Sequence, residues 1–66
     1  MFKVDDEKIR ALMMKHGWTI SDLSKATHLH DRICCKLING GTANLKVIAT
    51  AAQAWGVQGE ELILKE

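Results

Sequence analysis

Glycine stands at positions 17, 40, 41, 56 and 59 and proline nowhere, so the chain is a series of short uninterrupted segments between glycine breaks. Glycine is the usual left-handed stop for a helix, and the segments carry apolar residues three and four apart. The architecture this pattern points to is all-α: several short helices whose apolar stripes meet in one small core. The 66 residues set a single domain, residues 1–66, that buries only about 60% of its unfolded surface. An enclosed substrate pocket does not fit into that length, and no enzyme is expected. What remains is a binding module.

The first helix is predicted from Asp6 to about Lys15. Asp5 can cap it, Asp6 and Glu7 suit its positive end, and Lys15 and His16 its negative end. Ile9, Leu12, Met13 and His16 form one stripe, which leaves Met14 at the surface, and Gly17 ends the helix. Thr19, with Asp22 three residues on, is a capping pair for a second helix from Ile20 to about Ala26. That helix would bury Ile20, Leu23 and Ala26. Thr27, His28 and Leu29 make a tight connection to a third helix, Asp31 to Ile38, with Cys34 and Leu37 inward and Ile33 flanking.

Asn44 is the cap of a fourth helix, Leu45 to Trp55, closed by Gly56; its inward set is Leu45, Ile48, Ala49, Ala52 and Trp55. A fifth, short helix is expected around Glu60–Leu64 with Leu62 inward. No run alternates apolar and polar residues in a β-branched context, so no strand is predicted. Trp18 and Trp55 read as packing residues over the core.

The net charge of +1 conceals an uneven distribution. Residues 1–14 balance. Residues 15–46 hold Lys15, Lys25, Arg32, Lys36 and Lys46 against Asp22 and Asp31, a net of +3. Residues 47–66 set Lys65 against Glu60, Glu61 and Glu66, a net of −2. His16, His28 and His30 also fall in the middle block. A basic middle suits a domain that meets a polyanion on one face. The opening MFKVDDEK is not a signal peptide and no apolar run reaches the ~18 residues of a membrane span. Cytoplasm is the expected compartment.

Two helices joined by a three- or four-residue turn have the spacing of a helix-turn-helix. From Gly17 onward, GWTISDLSKATHLHDRICCKLINGG resembles the Cro/lambda-repressor-like (XRE) helix-turn-helix family, with the motif at about residues 20–39. The stretch LKVIATAAQAWGVQGEEL is similar to that family's fourth and fifth helices. The resemblance covers residues 6–64. It implies a compact five-helix lambda-repressor-like domain and a sequence-specific, DNA-binding transcriptional regulator, a Cro-type repressor acting on operator DNA as a homodimer. Within this length no ligand-sensing domain has room, so no cofactor or small-molecule ligand is expected.

In that family the third helix enters the major groove with its N-terminal residues toward the base edges. Carried over position by position, the base-contacting residues are Asp31, Arg32, Cys35 and Lys36. Arg32 can bridge guanine O6 and N7, Lys36 can do so less directionally, and Asp31 can accept from a cytosine amino group or hold Arg32. The phosphate contacts are Lys25, Asn39, Asn44 and Lys46. Three positions depart from the family pattern. His28 occupies the turn position usually held by glycine, so a β-carbon at positive φ is expected. Ile20 replaces a common phosphate-contacting glutamine, and His30 replaces the usual hydroxyl cap of the third helix.

Other readings of the same residues compete with this one. His28, His30, Cys34 and Cys35 have the residue types of a zinc site, but adjacent cysteines on a helix point about 100° apart and Cys34 is needed in the core. No metal is expected. A vicinal disulfide would break the helix; an exposed Cys35 could still be oxidised. The rival of a different class is a helix-turn-helix used as a protein-interaction module, with Ile38, Val47, Ile63 and Leu64 supplying an apolar surface and DNA irrelevant.

Overall fold

The computed structural model describes residues 1–64; Lys65 and Glu66, counted above in the acidic tail, lie outside the described residues. The elements run β1 (Phe2–Lys3), α1 (Asp6–His16), α2 (Ile20–Thr27), α3 (Asp31–Ile38), β2 (Thr42–Ala43) and α4 (Leu45–Trp55), followed by a single 3₁₀ turn at Gly59–Leu62. Four α-helices are therefore present among the described residues, not five.

Helix starts and stops follow local chemistry. Asp5 accepts the Lys8 amide at 3.2 Å, and Gly17, at φ +67°, returns its N–H to the Met13 and Met14 carbonyls. At α2 the Thr19 amide donates to Asp22 Oδ2 at 2.9 Å while the Asp22 amide donates to Thr19 Oγ1 at 3.3 Å, a reciprocal capping box. Asn44 Oδ1 accepts from the Val47 amide at 2.9 Å, and Gly56, at φ +71°, closes α4.

The core is built from Val4, Ile9, Leu23, Cys34, Leu37, Ile48 and Leu62, all essentially without solvent exposure. Burying one such aliphatic side chain is worth about 1.5–3 kcal/mol, so a handful of residues holds the helices together. Met13 is buried and Met14 exposed, as the α1 stripe requires. His16 is not part of that stripe: it is exposed, and its ring lies 5.4 Å from Trp18. Trp18 in turn packs 6.0 Å from Trp55. Trp55 is buried and its indole Nε1–H has no acceptor among the described residues.

Beyond His16, three more of the expected inward positions face solvent. On α2 the buried partner of Leu23 is Thr27, while Ala26 is exposed. Thr27 tolerates burial because its hydroxyl donates to the Leu23 carbonyl at 2.7 Å. On α4 the buried set is Ile48, Ala51, Ala52 and Trp55, while Leu45 and Ala49 face solvent. Small residues on both sides of that helix give periodicity little contrast, and Leu45 precedes the first turn that reaches the core.

The expectation of no strand also fails. β1 pairs antiparallel with β2, Phe2 opposite Ala43 and Lys3 opposite Thr42. On its other side, Val4 bridges to Ile63, the Asp5 amide donates to the Leu62 carbonyl at 2.8 Å, and the Leu64 amide donates to the Lys3 carbonyl at 2.9 Å. Two-residue strands are too short to show alternation. The same bonds explain why the expected helix at 60–64 stops after one 3₁₀ turn: residues 62–64 must be extended to meet the N-terminal segment.

Candidate nucleic-acid interface

The turn between α2 and α3 is fastened by side chains rather than by a long loop. Ser24 Oγ donates to the Leu29 carbonyl at 2.6 Å, and the Leu29 amide donates to Thr27 Oγ1 at 3.3 Å. One small hydroxyl and one buried hydroxyl therefore fix the angle at which α3 leaves α2. His28 sits at φ +59°, the non-glycine residue at positive φ among the described residues. Its imidazole has no hydrogen-bond partner among them, so nothing in the side chain repays a left-handed backbone that costs about 1–2 kcal/mol for a residue with a β-carbon.

His30 fills the cap position of α3, and its Nδ1 accepts the Arg32 amide at 3.1 Å. The other end of the helix is tied to α1. Arg10 donates to the Ile38 carbonyl at 3.1 Å while pairing with Asp6 at 2.9 Å. Gly40 follows at φ +77°, where an added Cβ would sit 3.3 Å from the Asp6 carboxylate. The sharp exit after Ile38 is therefore packed directly against the start of α1.

Held this way, α3 buries Cys34 and Leu37 and presents Asp31, Arg32 and Lys36 to solvent, with Cys35 half-buried beside them. Positions 31, 32, 35 and 36 share one face of a helix by spacing. Burial holds the Cys34 thiol above its ordinary pKa, and it stays protonated at neutral pH. Lys36 and Asn44 come together: both line a recess of about 190 Å³ between α3, β2 and the start of α4, with Ile33, Thr42 and Val47. Asn44 Oδ1 is committed to its own helix cap, and its side-chain nitrogen has no partner among the described residues. Lys46 and Asn39 are exposed at the ends of α4 and α3. Lys25 is exposed on α2, where its charge faces Asp22; no described contact joins it to α3.

Two residues that the sequence reading did not place in the site belong to this surface. His30 and Ile33 share with Arg32 an open recess of about 350 Å³ at the N-terminal end of α3. The signal for His30 was its departure from a hydroxyl at the cap position. Of the apolar residues proposed for a protein-binding face, Ile38, Val47 and Ile63 pack against the core, and Leu64 is 45% exposed. Among the described residues no three or more His, Cys, Asp or Glu side chains are grouped so that they could hold a metal ion.

Two short helices at a fixed angle, the second offering a charged face beside the start of a further helix, define a helix-turn-helix DNA-binding domain. The family model of the Cro/C1-type HTH DNA-binding domain matches residues 8–64. The chain belongs to that family. No curated protein and no solved structure matches it at a significant level. No helix among the described residues is long and apolar enough to cross a membrane.

Proposed function

We propose that this chain is a transcriptional regulator of Cro/repressor type that inserts α3 into the major groove of a specific operator. The observation that carries the reading is the solvent-facing row on α3, anchored from beneath by Cys34 and Leu37 and fixed at both ends by His30 and Arg10. Arg32 is the principal base reader, bidentate to guanine; Lys36 takes a second base or a phosphate; Asp31 accepts from cytosine or orients Arg32; Cys35 contributes apolar contact. The Asn44 amide and Lys46, at the start of α4, hold the phosphate backbone, since helix N-termini suit anions; Asn39, at the end of α3, adds a side-chain donor and Lys25 a peripheral charge.

Binding is as a homodimer, because one eight-residue helix reads too few base pairs to define an operator. Two copies on half-sites one helical turn apart, about 34–36 Å, supply the rest. The bound dimer acts by occluding the transcription machinery in the cytoplasm.

Selection from a randomised duplex pool at about 150 mM salt tests this, since phosphate contacts alone fade steeply as salt rises. Enrichment of an inverted repeat containing guanine is the expected result. A single enriched half-site would refute the dimer. An affinity for duplex that is absent at every salt concentration would refute the DNA reading and favour a protein-binding module, whose apolar interface is insensitive to salt.

A further inference from the structure

The cap of α3 fixes more than the start of a helix. A backbone N–H only donates, so the 3.1 Å bond from the Arg32 amide requires a lone pair on His30 Nδ1. In the neutral ring the proton then resides on Nε2. The two nitrogens lie on opposite edges of the imidazole, and Nε2–H is directed away from the amide that Nδ1 caps. His30 is exposed, and no group among the described residues accepts from Nε2. The ring borders the same recess of about 350 Å³ as Arg32 and Ile33. A hydroxyl cap spends its short side chain on the helix end. An imidazole cap satisfies the helix with one nitrogen and keeps a donor for something else.

We infer that His30 is a DNA-contacting residue, its neutral imidazole donating through Nε2–H to an acceptor on the duplex beside the one taken by Arg32. The acceptor is a phosphate oxygen or a base-edge acceptor such as purine N7, chemistries that one ring N–H serves equally. This rests on the reading of α3 as the groove-reading helix. It adds a contact at the position immediately before that helix and makes the cap and the contact two functions of one ring.

The first test needs no DNA. ¹⁵N–¹H correlation of the imidazole resonances in the free protein is expected to show His30 with the proton on Nε2; a proton on Nδ1 overturns the inference. The second compares His30→Ser, which keeps a capping oxygen but lacks the reach of the ring, with His30→Ala, which loses both. The serine variant is expected to match the parent in thermal stability yet bind its selected duplex about three- to ten-fold more weakly, the range for one hydrogen bond. An equal loss on selected and random duplex identifies a phosphate oxygen, and a loss confined to the selected duplex identifies a base edge. A serine variant that folds and binds like the parent overturns the inference and leaves His30 as a cap alone. Failure of the parent itself to bind any duplex overturns the DNA reading, a result the tautomer measurement keeps separate.

Discussion

Replacing His28 with glycine should stabilise the protein. His28 holds φ +59° with an unpartnered, exposed ring, so the substitution removes no described contact and releases a left-handed cost of about 1–2 kcal/mol. Glycine returns part of that through its greater freedom in the unfolded chain, about 0.5–1 kcal/mol. The net gain is about 0.5–1 kcal/mol. For a chain of this size, with an unfolding entropy of roughly 2.1 cal/mol/K per residue, that raises Tm by about 4–7 °C. The assay is thermal unfolding followed by circular dichroism. His28→Ala, which keeps the strain, should leave Tm nearly unchanged and so separates relief of the backbone from loss of the ring. Gly17→Ala is the mirror experiment: the space around its Cβ is open and φ is +67°, so it should lose about what His28→Gly gains. A lower Tm for His28→Gly would refute the reasoning, because it would mean that the imidazole repays its own backbone.

Further outcomes follow from the same contacts. Arg32→Ala should cost about 1–3 kcal/mol on the selected duplex and relax preference at one base pair, whereas Lys46→Ala should weaken all sequences alike and reduce the salt slope by about one; equal losses on selected and random duplex for Arg32→Ala would show a phosphate contact only. Thiol labelling of the native protein should modify Cys35 alone, since Cys34 is fully buried and protonated; mass analysis showing two labels before unfolding would contradict the packing. The Thr19 amide and then its hydroxyl hold the Asp22 carboxyl below its ordinary value of 3.8. The contribution of that depressed group is present above 3.8 and lost as pH falls through the lower folded value. The stability difference between the parent and Asp22→Asn should therefore be constant near neutrality and shrink in acid, and a difference that grew on acidification would reverse the assignment.

The sequence carried the helices because their ends are chemical events. Asp5, Thr19 and Asn44 each make the cap hydrogen bond that their residue type permits, and Gly17 and Gly56 each take the conformation that glycine alone adopts freely. The positive φ at His28 was legible only through the family resemblance, because glycine usually holds that turn position and the backbone keeps its conformation under another residue. The sheet was not legible, since each of its strands is two residues long and the information lies in pairing rather than in pattern. Burial on α4 was misread where alanines on opposite sides look alike; only the neighbouring elements distinguish Ala51 from Ala49. In the site, the inward pair Cys34 and Leu37 followed from spacing, and the outward row Asp31, Arg32, Cys35 and Lys36 from the family resemblance. The use of both nitrogens of His30 did not, because a hydrogen bond two residues away decides which edge of the ring is free.

The strand pairing also sets an order in time. α2, its turn and α3 are bonded across a few positions, so the part that would meet DNA can take shape from local contacts as soon as its own residues are free. The segment that closes the core pairs residue 3 with residue 64. Such a loop exacts its entropy before any contact rewards it, so the lasting fold waits for nearly all of the described chain. A nascent protein of this kind can display its motif early, but it becomes a rigid reader of a duplex only after residues 62–64 have arrived to cover Val4. Shortening it there should leave the helices recognisable and the grip on any partner loose.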